Sequence, residues 1–303
     1  MNNPFSPERW AFEITHLLNA AFAGAERFPI DIPMIAQEYS RQRFPDDPIL
    51  NVKGDSLPDF EGALYRVPSG RKGWAIIYNN AIASRGRINF TLAHEFGHYL
   101  LHRLAFPDGI ECGQQQIVRW DSEIGQIEHQ PNLFATNLLM PLDDFRRQIP
   151  DSAKVTLDML RACADRYKVS LMAAALRWIN YTRKRAILVV SRDGFILWAR
   201  SSEPAWKSGA YFKTSKGAIE IPASSLPLNP QKLVDGRGEM DHASGAWLQE
   251  PVHEITIFAE NYDFSISLLL LEEGVKRPIF EDAEPEEDTY DRFMSTMRGR
   301  SRQ

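Results

Sequence analysis

The residues of this 303-residue chain that are best suited to chemistry lie between positions 91 and 102. They include the pattern His-Glu-x-x-His, with His94 and His98 four residues apart and Glu95 between them. Residues four apart share one face of an α-helix, so both imidazoles can point at one metal ion. Glu95 can then reach a water molecule at that ion. Two imidazoles that hold zinc, and a carboxylate that takes a proton from water, are the working parts of a zinc peptidase.

The sequence around this pattern predicts a buried helix over about residues 88–104. Five apolar side chains surround the polar ones: Leu92, Ala93, Phe96, Leu100 and Leu101. Burying two histidines and a glutamate costs free energy unless each has a partner, and a metal ion is the natural one. Residues 74–78 precede the helix and predict a strand, and an edge strand can hold an extended peptide. A core helix with two ordinary histidines is the alternative interpretation.

A catalytic zinc ion usually has three protein ligands and one water, so we expect a third ligand downstream. Glu128 and Asn132 are four apart on a predicted helix that ends at Pro141. The Glu128 carboxylate can therefore bind the metal while the Asn132 amide orients a ligand imidazole. Three residues are alternatives for the third ligand: Glu123, His129 and His102.

His102 lies one further turn along the same helix as His98, and its Cα is about 6 Å higher. At that displacement along the helix axis the His102 imidazole does not easily reach the same ion, so His102 is predicted to support the site from behind the ligands. His129 points away from the metal if Glu128 faces it, but it can still line the cleft. The candidates for stabilising an oxyanion are Tyr78, Tyr99 and His129.

Two longer segments resemble the ImmA/IrrE family of metallopeptidases. Residues 87–102 (RINFTLAHEFGHYLLH) are similar to the family's metal helix, and residues 132–141 (NLFATNLLMP) to a later helix. Residues 29–36 and 60–64 are also similar, so the resemblance covers about residues 10–180. It implies a zincin-like domain with the activity of a gluzincin-like zinc endopeptidase. It also implies cleavage of a helix-turn-helix transcriptional repressor in a stress-response or mobile-element circuit. The expected cofactor is Zn²⁺, with Mn²⁺ as an alternative.

The resemblance also assigns roles to residues of the site: Glu95 as general base, and His94, His98 and Glu128 as metal ligands. The chain departs from the family at Gln130-Pro131, where many members have Glu-Ala. A ligand at position 130 would deprive the site of its carboxylate. The four-residue spacing of Glu128 and Asn132 favours Glu128 instead.

Composition places the chain among ordinary globular proteins, with 44% apolar and 25% charged residues. It contains no run of 18 apolar residues and no signal-peptide pattern at its start, so we expect no membrane association. Cys112 and Cys163 belong to no Cys-x-x-Cys pair, which suits a reducing cytoplasm. The net charge of -5 disfavours broad binding to nucleic acid.

The order of elements predicts an α+β fold in four parts. The predicted parts are a zincin-like metallopeptidase domain over residues 1–145, a helix-turn-helix-like helical segment over 146–184, a mainly β, sensor-like domain over 185–275, and a charged, disordered tail over 276–303. Within the first part, residues 45–58 and 106–121 contain Pro, Gly and Asp and predict loops. Within the β domain, turn residues near 191–194 and 261–263 predict two hairpins.

The helix-turn-helix-like segment leaves the function open. DNA contact would fall on four basic residues: Arg177, Arg183, Lys184 and Arg185. A packing unit that braces the peptidase is favoured, partly because the whole chain is acidic. A non-enzymatic transcriptional regulator is one alternative function. A toxin–antitoxin or phage partner protein with a structural zinc ion is another. The favoured partner is a protein substrate, a DNA-binding repressor.

Overall fold

The computed structural model describes residues 5–22, 27–57, 60–67, 72–113, 123–214, 217–259 and 263–273. The chain divides into two units, whose described residues fall within Met1–Phe145 with Ala162–Leu171 and within Arg146–Arg161 with Met172–Gln303. We call these the first unit and the second unit. The four boundaries predicted from the sequence stay predictions, and the tail 276–303 lies outside the described residues.

The first unit combines helices with a four-stranded sheet. Its main elements are α1 (Pro7–Ala21), α2 (Ile32–Arg43), β1 (Ile49–Asp55), β2 (Phe60–Arg66), β3 (Trp74–Asn79), α3 (Arg85–His102), β4 (Gly109–Gly113) and α4 (Glu123–Leu139). The strand order is β1-β3-β2-β4, with β1 parallel to β3 and the other neighbours antiparallel. Helix α3 packs against β2 on one side and against α4 on another, which places it at the centre of the unit.

Helix α3 carries the metal-binding pattern. It begins after Ser84, whose side chain accepts a hydrogen bond from the backbone amide of Arg87 at 3.3 Å. This cap satisfies an amide that has no partner within the helix. Every residue from Thr91 to Leu100 is buried. A helix that is buried on all sides forces its polar residues to find partners inside the protein.

The loop predicted over residues 45–58 is wrong, because Ile49–Asp55 form the edge strand β1. An edge strand tolerates a glycine and a neighbouring proline that would interrupt a central strand. Pro48 lies just before β1, and its carbonyl accepts a hydrogen bond from the Trp74 amide at 2.8 Å. Gly54 leaves room for the Tyr78 ring, which a Cβ at position 54 would meet at 3.0 Å.

The loop predicted over residues 106–121 is also wrong in part, because Gly109–Gly113 form β4. Gly109 has φ +122, and a Cβ there would lie 2.6 Å from the Leu64 carbonyl oxygen, so the pairing with β2 needs this glycine. The predicted strand over residues 74–78 is confirmed as β3, but it lies between β1 and β2. The edges of the sheet are β1 and β4, and residues 114–122 lie outside the described residues.

Three helices follow, and the boundaries between the two units fall within them: α5 (Leu142–Gln148), α6 (Leu157–Tyr167) and α7 (Leu171–Ile179). The prediction of a helix, a tight turn and a helix is confirmed for α6 and α7. Thr156 caps α6 by accepting a hydrogen bond from the Met159 amide at 3.3 Å. Lys168 makes the turn with a positive φ of 50°.

The second unit is built on a six-stranded antiparallel sheet, as expected for a mainly β C-terminal domain. Its elements are β5 (Ala186–Arg192), β6 (Phe195–Ser201), α8 (Glu203–Lys207), β7 (Ile219–Glu220), β8 (Arg237–His242), β9 (Val252–Ala259) and β10 (Phe264–Leu271). The strand order is β7-β6-β5-β10-β9-β8. Both predicted hairpins are present as β5–β6 and β9–β10. Asp193 and Gly194 turn the first with positive φ values of 52° and 81°. Residues 260–262 of the second lie outside the described residues.

The four basic residues proposed for DNA contact are engaged within the second unit. Arg183 pairs with Asp151 at 2.9 Å, Lys184 pairs with Glu273, and Arg185 pairs with Glu250 at 2.7 Å. Arg177 is only 8% exposed. These contacts favour the packing role over direct DNA binding. Among the described residues, no helix is both long and apolar enough to cross a bilayer.

Candidate metal centre

The structure brings the three predicted metal ligands together at the interface of α3 and α4. The Nε2 atoms of His94 and His98 lie 3.0 Å apart. The Glu128 carboxylate lies 3.2 Å from His94 Nε2 and 3.5 Å from His98 Nε2. One ligand atom from each residue lies within 4.8 Å of the others. The two histidines are 3% and 0% exposed, so a cation here would be held inside the protein.

These distances fit a tetrahedral metal ion. Zinc binds imidazole nitrogen and carboxylate oxygen at about 2.0–2.2 Å, which separates two ligand atoms by about 3.4 Å at a tetrahedral angle. The three observed separations of 3.0, 3.2 and 3.5 Å lie close to that value. Two imidazoles and one carboxylate are also a donor set of catalytic zinc sites, which leave a fourth position for water. The residues present therefore fit the metal that the motif predicts.

Asn132 lies behind the imidazole of His94. Its amide oxygen is 2.9 Å from His94 Nδ1. An amide oxygen only accepts hydrogen bonds, so His94 Nδ1 carries the proton and Nε2 presents its lone pair toward Glu128 and His98. Asn132 follows Glu128 by one helical turn, which is why one face of α4 supplies both groups.

A longer chain of hydrogen bonds supports the second imidazole. His98 Nδ1 lies 3.0 Å from His102 Nδ1, and His102 Nε2 lies 3.1 Å from the Gln130 side-chain oxygen. The Gln130 oxygen accepts, so His102 donates from Nε2 and accepts at Nδ1. His98 then donates from Nδ1 and presents the lone pair of Nε2 toward His94 and Glu128, as a metal ligand would. The sequence predicts His102 behind the ligands, but it gives Gln130 no role. The four-residue step from His98 to His102 is the signal that could have led to this chain.

Burial sets the protonation of these histidines. It lowers the pKa of His98 to about 4, against an opposing effect of Glu128. It also lowers the pKa of His102, again against an opposing hydrogen bond, from Gln130. Burial favours the neutral form of Glu128 as well, but the imidazoles of His94 and His98 outweigh it and hold the carboxyl pKa well below its usual range. Neutral imidazoles and an ionised carboxylate are the forms that bind a cation.

Glu95 lies against the backbone of β2 at Gly62, which has no side chain. It is fully buried, and a Cβ added to Gly62 would lie 2.9 Å from its Oε1 atom and 2.5 Å from Thr91 Cγ2. The Arg87 guanidinium pairs with the Glu61 carboxylate, and this ion pair ties β2 to the start of α3. Gly62 therefore lets the strand approach the helix closely enough to fix the position of the Glu95 carboxylate. A glycine inside a strand is the sequence signal for such an approach.

The three oxyanion candidates lie in different surroundings. Tyr99 is fully buried and its hydroxyl donates to the Asp47 carbonyl at 2.7 Å, which commits it to the core. The Tyr78 ring lies over Gly54 of β1. His129 is partly exposed on α4, next to Glu128. The oxyanion assignment stays a prediction, and the Glu123 side chain lies outside the described residues.

Comparison with known families bears on this site directly. Residues 48–178 match the model of the IrrE N-terminal-like domain, peptidase family M78. This match spans 131 of the 303 residues and supports a metallopeptidase domain of the ImmA/IrrE type there. The family's match contains α3 and α4, and with them both histidines, Glu95 and Glu128. It stops at Trp178 in α7, before the six-stranded sheet of the second unit. Comparison with curated proteins gives no match.

Proposed function

We propose that this chain is a zinc-dependent endopeptidase with His94, His98 and Glu128 as its metal ligands and Glu95 as its general base. The observation that carries the proposal is the convergence of two imidazole nitrogens and the two Glu128 carboxylate oxygens, at 3.0–3.5 Å, on the buried face of α3. The Asn132 amide oxygen and His102 Nδ1 accept hydrogen bonds from the Nδ1 atoms of His94 and His98. Each of these two histidines therefore directs its Nε2 lone pair toward the metal position. The match of residues 48–178 to a metallopeptidase family model supports the reaction class.

The proposed reaction is hydrolysis of a peptide bond. A bound zinc ion supplies a Lewis acid that polarises the scissile carbonyl and lowers the pKa of an attacking water. Glu95 accepts a proton as the water oxygen bonds to the carbonyl carbon. It then delivers that proton to the amide nitrogen as the carbon–nitrogen bond breaks. Contact with Gly62 keeps the Glu95 carboxylate in one position during both transfers.

The proposed substrate is a specific protein, a helix-turn-helix transcriptional repressor, cleaved in a stress-response or mobile-element circuit in the cytoplasm. Family resemblance supports this choice. Strand β4 offers a way to hold such a chain. It pairs with β2 on one side and, among the described residues, is the last strand of its sheet. An extended peptide can pair with an exposed strand edge through backbone hydrogen bonds.

The proposal is tested by metal analysis together with cleavage of a co-encoded repressor. Wild type is expected to bind zinc and cleave, while Glu95→Gln binds the same amount of zinc and cleaves about 10²–10⁴ times more slowly. Glu128→Gln is the matched control, since it removes a ligand carboxylate and should lose zinc and cleavage together. Full cleavage by Glu95→Gln would overturn the general-base role. Operator binding that depends on salt and ignores Glu95→Gln, without any cleavage, would favour a non-enzymatic regulator.

A further inference from the structure

A serine, a histidine and a glutamate of the second unit form a continuous line of hydrogen bonds. Ser224 Oγ lies 3.4 Å from His242 Nδ1, and His242 Nε2 lies 2.6 Å from a carboxylate oxygen of Glu254. His242 ends β8, Glu254 lies in the neighbouring strand β9, and Ser224 lies in a turn between β7 and β8. A base within reach of a hydroxyl, and itself oriented by a third group, is the arrangement that activates serine in hydrolases.

The Glu254 carboxylate is fully buried and is held by donors other than the histidine. The Trp247 indole N–H donates to Oε2 at 3.1 Å, the Thr256 hydroxyl to Oε1 at 2.7 Å, and the Leu226 amide to both oxygens at 3.3 Å. An indole and a backbone amide can only donate, so both carboxylate oxygens act as acceptors. These donors satisfy the buried group and fix its position. Glu254 is therefore a rigid acceptor for the imidazole of His242.

This acceptor sets the tautomer of His242. The 2.6 Å contact places the ring N–H on Nε2, because the Glu254 oxygen accepts. In the neutral imidazole the lone pair then lies on Nδ1, the nitrogen that faces Ser224. The His242 side chain is only 3% exposed, so the surrounding protein holds the ring in one orientation. His242 can accept the proton of the Ser224 hydroxyl.

Ser224 itself is exposed, unlike the two residues behind it. It is a central residue of the turn that the Ser225 amide closes by donating to the Pro222 carbonyl at 2.9 Å. That bond does not use the backbone amides of Ala223 and Ser224, the two central residues of the turn. The Asn229 side chain holds the loop by donating to the carbonyls of Ala223 and Ser225 at 2.8 and 2.7 Å. Backbone amides beside a nucleophile can stabilise the oxyanion that its attack produces.

We propose that Ser224, His242 and Glu254 form a serine esterase site in the second unit, with an ester of a short carboxylic acid as substrate. An ester suits an exposed serine, because an alcohol leaves more readily than an amine and a small acyl group needs little binding surface.

The proposed reaction has two halves. Ser224 Oγ bonds to the ester carbonyl carbon while its proton passes to His242 Nδ1, and that proton goes to the leaving alcohol as the carbon–oxygen bond breaks. Water then attacks the acyl group and gives a proton to His242. The acid is released as Ser224 Oγ takes this proton back. The buried Glu254 carboxylate stabilises the imidazolium in both halves.

The test uses the full chain and a fluorophosphonate probe, which bonds covalently to activated serine hydroxyls. Peptide mass spectrometry is expected to place the label on Ser224, at a rate that EDTA leaves unchanged because zinc takes no part. Ser224→Ala should lose the label, whereas Ser244→Ala, at another exposed serine of the second unit, should label as wild type does. His242→Gln keeps an N–H for Glu254 but has no basic nitrogen, so its labelling should slow about 10²–10⁴-fold.

Ester turnover is measured with p-nitrophenyl acetate. Wild type should release a burst of about one p-nitrophenol per chain as the acyl group forms on Ser224, and Ser224→Ala should show no burst. Label on Ser244, or spread over several residues, would overturn the proposal. Labelling at the wild-type rate by His242→Gln, with folding verified in a urea melt, would overturn it too. A missing burst in wild type would do so whether or not His242→Gln folds. These readouts are independent of repressor cleavage, so this proposal and the proposed peptidase function can fail separately.

Discussion

Gly62→Ala is expected to slow cleavage while leaving zinc in place. An added Cβ would lie 2.5 Å from Thr91 Cγ2 and 2.9 Å from Glu95 Oε1. Non-bonded carbon atoms pack at about 3.5–4.0 Å, so β2 and α3 must separate locally by about 1 Å. The nearest atoms belong to Thr91 and Glu95 and not to the three metal ligands. The substitution therefore acts on the proposed general base.

The size of the effect follows from that displacement. Overpacking of a core contact costs about 1–3 kcal/mol of folding free energy. A shift of about 1 Å at a catalytic group costs about a hundredfold in rate. We therefore expect kcat for repressor cleavage to fall about a hundredfold, with a modest loss of stability in urea and a zinc content equal to that of wild type.

A compensating substitution sharpens the assay. Thr91→Ser removes the methyl group that the new Cβ would strike, and it keeps the hydroxyl that donates to Glu61 at 3.4 Å. The double variant Gly62→Ala/Thr91→Ser should recover part of the lost rate, and Thr91→Ser alone should cleave normally. Single-turnover experiments measure the cleavage rate, and mass spectrometry measures the zinc content. Gly62→Ala with full activity would refute the close approach, and a parallel loss of zinc and rate would refute the selective action on Glu95.

Three further predictions concern the metal centre. Asn132→Leu should weaken zinc affinity about 10–100-fold in a chelator competition, whereas Asn137→Leu on the same helix should leave the affinity unchanged. Gly97→Ala should also weaken zinc binding, because its Cβ would meet α4 at 3.0 Å near Pro131 and push Glu128 away; an unchanged affinity would contradict this. The metal-free protein should lose stability as pH falls from 6.5 to about 4, because His98 is protonated in the unfolded chain over this range but stays neutral when buried in the folded protein. This loss amounts to about 3 kcal/mol, and urea melts in EDTA that give the same free energy at pH 7 and pH 5 would count against it.

The sequence predicts the spacing of the proposed metal ligands because that geometry is local. A four-residue step on one helix places His94 beside His98, and a second such step places Glu128 beside Asn132. Only the contact between α3 and α4 does not follow from the sequence and needs the structure. Gln130 shows the limit, since its bond to His102 depends on the separation of α3 and α4 and not on spacing within either helix.

The edge strands were harder to predict from the sequence. β1 and β4 contain glycines that suggest loops, and each becomes a strand because a neighbour supplies its hydrogen bonds. Gly62 has a role only because β2 crosses α3 at that position. The site proposed in the second unit draws its three residues from separate segments of the chain. Contacts of this kind depend on three-dimensional proximity, which residue periodicity does not report.

The division of the ligands between two helices has a consequence for control of the enzyme. One turn of α3 provides two of the three proposed metal ligands, and α4 provides the third. A protein that binds α4 and displaces it from α3 would remove the third ligand and inactivate the centre, while both histidines stay in place. Inhibition of that kind would be reversible, because returning the helix restores the third contact.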